Sequence, residues 1–199
     1  MREAVARGEL RVVRQEAQFL VALGGDRAID AAWRDRLEGM RLAAASLAEA
    51  TNIPEASVRL GAVARTCGEC HATLGGPRPA VAALPDPGPD VRSRMKRHGW
   101  AVARMWDGLV VPSTPAWKAG AHVLSDAPLQ PALITPDQSA AAEIVKFDAS
   151  VHDLARKAYA AESGAERSAI YGGLMTTCSD CHARLGGGPG ARGLPSRSQ

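Results

Sequence analysis

The chain has 199 residues, 46% of them hydrophobic, yet aromatics make up only 4% and Ala dominates the apolar set. That length suits one large domain or two small ones, and an Ala-rich, aromatic-poor core favours close-packed helices over a sandwich of strands. A formal net charge of +3, with no Lys/Arg cluster interleaved with aromatics, argues against nucleic acid as a partner. No apolar run reaches the roughly 18 residues of a transmembrane helix.

In chain order, Met1-Arg2-Glu3-Ala4 opens directly on a helical pattern, without the apolar segment or cleavage site of a secretory signal. Helical patterns follow near Glu9–Leu23, near Asp30–Ala50 and from Pro54 onward. Gly75-Gly76-Pro77-Arg78-Pro79 and Leu84-Pro85-Asp86-Pro87-Gly88-Pro89 then break every periodicity, which predicts a linker over 77–89. Beyond it, a helix is predicted from Asp90 to Val111, stopped by Pro112. Thr114-Pro115-Ala116 opens another that runs to about Ser125. Thr135-Pro136-Asp137 opens a third, to about Glu162, with Ile144, Phe147, Val151, Leu154 and Ala158 at helical spacing. The last helix runs from Ala165. The small, polar, basic stretch 189–199 is expected to be a disordered tail. Nothing reads as a strand.

All four cysteines fall in two strings, Cys67-Gly68-Glu69-Cys70-His71 and Cys178-Ser179-Asp180-Cys181-His182. Two thiols three positions apart can each form a thioether with one vinyl group of a haem. The residue that follows then projects under the ring, where its imidazole binds iron. This predicts two covalently bound haem c groups, held by Cys67, Cys70, Cys178 and Cys181, with His71 and His182 as proximal ligands. Rival readings explain less. A thioredoxin-type pair needs a βαβ setting and no following His. A four-cysteine zinc site would leave both histidines without a role.

The strings sit inside a longer repeat. Arg65-Thr66-Cys67 through Leu74-Gly75-Gly76 aligns with Thr176-Thr177-Cys178 through Leu185-Gly186-Gly187, and the same offset pairs Gly61 with Gly172, Leu47 with Ala158 and Ala43 with Leu154. The chain therefore reads as a tandem duplication of one haem-binding unit, residues 1–76 and 90–188. Four helices with short connections in each unit predict an all-α fold of antiparallel bundles.

A haem string at the end of the fourth helix of an Ala-rich bundle resembles the cytochrome c′ / cytochrome c-556 family, and the resemblance covers nearly the whole chain as two copies. It implies two tandem four-helix bundles, with any sixth iron ligand supplied by the first helix of a unit. Members with an apolar residue there bind small gases; members with a ligand there transfer electrons. In the second unit that helix offers His98, with Met95 and Met105 as alternatives. In the first unit, aligning Val5 with Leu109 and Glu3 with Asp107 leaves the first helix short by several turns, and the counterpart of His98 would lie before Met1. A misassigned or trimmed start, an open iron, and a ligand from Met1, Met40 or another unit all stay open. Gln18 corresponds to His122 and Arg41 to His152, so both histidines are expected on the surface. Trp100, Trp106 and Trp117 are expected to pack around haem or between helices.

The expected function is electron transfer outside the cytoplasm, with redox proteins as partners. An export signal would lie outside these residues, because covalent haem attachment takes place there. A gas-binding protein with one five-coordinate haem is the alternative, small gas ligands then being its partners. A di-haem peroxidase fits least, since no set of polar distal residues is present.

Overall fold

The computed structural model describes residues 1–23, 31–76, 82–126, 129–130, 134–135 and 137–185. The expected tail and part of the expected linker lie outside these residues. Among the described residues there are eight helices and no strand: α1 (Arg2–Ala6), α2 (Leu10–Val21), α3 (Ala31–Ala48), α4 (Ile53–Leu74), α5 (Val91–Val110), α6 (Thr114–Asp126), α7 (Gln138–Ala160) and α8 (Gly164–Leu185). No helix is long and apolar enough to cross a membrane.

Local chemistry sets the helix starts. Asp90 and Asp137 accept backbone N–H bonds from the first turns of α5 and α7. The third helix of the second half therefore begins at Gln138, not Thr135, because Asp137 is its cap. The helices that carry the cysteines start in the same way. Asn52 accepts from the Glu55 N–H at 2.8 Å, and Glu55 reaches back to the Thr51 N–H at 2.7 Å. At the equivalent place Ser163 accepts from the Glu166 N–H at 3.2 Å, and Glu166 reaches back to the Ser163 N–H at 3.0 Å. Both are reciprocal caps that satisfy orphan donors at a helix start. At the other end of α4, Gly75 takes φ +77°, a left-handed turn that stops the helix.

Sequential helices pack on one another, α2 on α3 on α4 and α5 on α6 on α7 on α8. The core is built from Val5, Val13, Leu47, Leu60, Trp117 and Leu174, all essentially without exposure, together with many alanines. Trp117 anchors the second half. Its indole Nε1 donates to the Ala158 carbonyl at 2.6 Å, and Gly108 on α5 lies so close that a Cβ there would stand 2.6 Å from the Trp117 main-chain nitrogen.

The two halves do not stand apart. Packing between α4 and α8 is as extensive as any in the molecule, and α4 also packs on α5 while α1 packs on α8. The α4–α8 contact is antiparallel and repeats itself about its centre. Gly61 lies against the Ser168 carbonyl, and Gly172 lies against the backbone of Ser57 and Val58. A Cβ on Gly61 would come within 2.4 Å of that carbonyl, and one on Gly172 within 3.0 Å of the Val58 Cα. Small residues one turn apart let two backbones meet this closely.

Candidate functional site

Both cysteine strings occupy the last turns of their helices, Cys67 to His71 in α4 and Cys178 to His182 in α8. A spacing of three on a helix brings the two thiols of a string onto one face. All four cysteines are partly buried free thiols. Burial pushes the Cys67 and Cys181 thiols above their ordinary pKa, with the Asp148 carboxylate adding to the effect at Cys181. Burial pushes Cys178 up to about 12. A buried thiol stays protonated because the thiolate would lose its hydration.

Each histidine beside a cysteine pair is held by a main-chain carbonyl. His71 Nδ1 lies 2.7 Å from the Val110 oxygen, and His182 Nδ1 lies 2.8 Å from the Ala6 oxygen. A carbonyl only accepts, so Nδ1 must carry the proton, and Nε2 is then the nitrogen with a free lone pair. Each string therefore presents two thiols and one imidazole whose Nε2 carries the lone pair. The strings do not converge. With Ser57 facing Gly172 and Gly61 facing Ser168, His71 and His182 stand at opposite ends of the antiparallel pair, roughly 35 Å apart along the axes at ~1.5 Å per residue. A shared four-thiol metal site is incompatible with this, and no group of three or more His, Cys, Asp or Glu side chains among the described residues could hold a metal.

Beside the second string lies an open groove of about 630 Å³, lined by Glu143, Lys146, Phe147, Asp180, Ala183 and Arg184. Within that lining, Arg184 pairs with Glu143.

The candidates for a further ligand separate by position. Thr114, just past α5, accepts from the Arg167 guanidinium at the start of α8, and the Val102 carbonyl accepts from the Tyr171 hydroxyl at 3.4 Å. Helices α5 and α8 are thus antiparallel, and the N-terminal half of α5 lies toward the His182 end of α8. Met95 and His98, both half-buried, occupy that half. Met105 is fully buried against Gly120 of α6, where its Cγ would touch an added Cβ at 2.6 Å. In the first half, Met1 packs against the core beside α2 and Met40 is buried on α3.

The two remaining histidines differ. His122 is exposed and faces Asp126 at 3.2 Å, as a surface residue should. His152 is not on the surface: its side chain is only 14% exposed, it lies 3.6 Å from Asp148, and its Nε2 is buried without a hydrogen-bond partner. The Leu129 N–H donates to Asp148 at 3.0 Å, one turn before His152 on α7. Arg41, the counterpart of His152 in the repeat, donates to the Leu23 carbonyl at 3.0 Å.

Among the tryptophans, Trp117 lies between helices and Trp106 stacks obliquely on Tyr171, with ring centres 5.8 Å apart. Trp100 donates to the Ala82 carbonyl at 2.8 Å. The Val110 and Ala6 carbonyls escaped sequence reading because a backbone oxygen carries no residue-type signal; only the matching ends of α1 and α5 pointed toward them. No family model, curated protein or solved structure matches the chain.

Proposed function

We propose that the chain is a di-haem c-type cytochrome that carries electrons outside the cytoplasm, built as two tandem cytochrome c′-like four-helix units, the first with a shortened leading helix. One observation carries the reading. Two Cys-x-x-Cys-His strings end equivalent helices, and in each the histidine is locked by its Nδ1 proton so that Nε2 is left to bind. Iron-binding imidazoles are held in this way in haem proteins and other metal sites. The donor set fits haem: two thiols on one helix face for the vinyl groups, and an imidazole one residue further along. Haem would supply the one-electron chemistry. The residues of the chain hold the group, exclude water from one side of it and set its potential.

At the second site His98 is the proposed sixth ligand, with Met95 as its rival; the packing of Met105 against α6 leaves that side chain committed elsewhere. The test is direct. The chain, exported in a host with cytochrome c maturation machinery, should gain the mass of two haems and keep them through denaturation. Cys67→Ala/Cys70→Ala and Cys178→Ala/Cys181→Ala should each lose one. Oxidised spectra and CO addition to the reduced protein then assign the role. Two low-spin irons indifferent to CO support the carrier, and a high-spin iron that binds CO supports the gas-binding alternative. A chain that gains no covalent haem ends the proposal.

A further inference from the structure

Building on the haem reading, we infer that each half of the chain completes the iron site of the other, through a helix-terminal carbonyl that orients the opposite proximal histidine. Ala6 is the last residue of α1 and Val110 the last of α5. By the alignment that pairs Val5 with Leu109, the two are the same position of the repeat. Yet the bonds cross between the halves. Val110, in the second half, accepts from His71 of the first, and Ala6, in the first half, accepts from His182 of the second.

The geometry is built for this. Carbonyls in the last turn of a helix have no intrahelical donor and carry the negative end of its dipole. Such an acceptor holds the imidazole in one tautomer and raises the electron-donating power of Nε2. At the first site Gly68 admits the end of α5, since a Cβ there would stand 2.2 Å from the Leu109 oxygen. At the second, Gly8 turns the chain away directly after α1 with φ +72°, and Ser179 lies beside it, 3.7 Å from where a Cβ would stand. Arg7 paired with Glu9 at 2.8 Å braces that turn. A helix of five residues has no stability of its own. It persists because Ala4 and Val5 are buried in the core and it packs on α8. It also packs on α2 and α4, but its terminal carbonyl meets the second string and not the first.

The test is a redox titration of the di-haem protein carrying Gly8→Val, which forces a β-branched residue into a left-handed turn and displaces the Ala6 carbonyl. The two haems are told apart by their α-bands in Cys70→Ala and Cys181→Ala backgrounds, each of which removes one thioether. The midpoint potential of the haem on His182 should rise, because a less basic Nε2 stabilises ferric iron less, and its Nδ1 proton should exchange faster by NMR. The haem on His71 should keep both values. A shift at the His71 haem alone, equal shifts at both, or no shift would overturn the inference. Should Gly8→Val fail to fold, Val5→Ala loosens α1 without altering its backbone and gives the same site-selective readout. The haem count of the wild-type preparation separates the two failures. Without covalent haem the proposed function falls and this inference with it; two haems with the His182 haem unmoved remove only the inference.

Discussion

At the scale of single residues, two side chains govern what the second site can do. His98 lies on the half of α5 that faces the C-terminal end of α8. As sixth ligand it would close the iron, so His98→Ala should turn that haem from low-spin to high-spin and open it to CO. An unchanged spectrum would move the role to Met95. Cys178 constrains how the site is made. Its thiol is pushed from the ordinary 9.0 up to about 12 by burial within folded α8. In the haem-free chain the folded state therefore prefers the protonated thiol. The resulting stability is fully present below pH ~9 and is lost as pH rises toward 12. A urea-denaturation series on the haem-free chain should show this decline, and Cys178→Ala should make it shallower, the rest coming from the other buried groups whose pKa is raised, Cys67, Cys181 and Tyr171. On the haem reading, the burial of Cys178 would require the haem to attach before the helices close over the thiol. Alkylation of Cys178 at pH 8 should accordingly be much slower in the folded haem-free chain than in the unfolded one; equal rates would refute that order of events.

At the scale of elements, the decisive contact is α4 against α8. Gly61 and Gly172 recur in the repeat, and the sequence shows that recurrence plainly. Its cause is invisible there, because it is a contact between two segments far apart in the chain. Gly61→Val would drive a branched side chain into the Ser168 carbonyl, which already lies 2.4 Å from a bare Cβ position. Overpacking of this kind costs about 1–3 kcal/mol, and thermal or denaturant unfolding of the variant should report a loss of that size. Helix number, order and most boundaries were legible from periodicity and from the Pro and Gly breaks, while the caps at Asn52 and Ser163 were not read and the helices they start were placed from Pro54 and Ala165. The cysteine strings were legible too, because thioether chemistry demands particular residues at particular spacing. What sequence could not supply is whatever depends on backbone oxygens or on packing partners: the Ala6 and Val110 acceptors, and the burial of His152. His152 shows the limit well. The repeat paired it with Arg41, and the unlike side chains led to the expectation of a surface position, yet its side chain is only 14% exposed.

At the scale of the whole molecule, the antiparallel α4–α8 pair decides how two haems would relate. Their proximal histidines stand at opposite ends of it, roughly 35 Å apart along the axes at ~1.5 Å per residue. On the di-haem reading, a separation of that size would make direct exchange slow, because tunnelling decays exponentially with the gap between cofactor edges. The two sites would then act as separate ports, each loaded and discharged by its own encounter with a redox partner, and the crossed carbonyl bonds would link them through the orientation of a ligand. A pulse experiment distinguishes separate ports from direct exchange. After substoichiometric photoreduction of the di-haem protein, electrons should redistribute between the haems at a rate proportional to protein concentration, because exchange must run through collisions between molecules. Redistribution at a rate independent of concentration would establish a direct internal path and refute the two-port description.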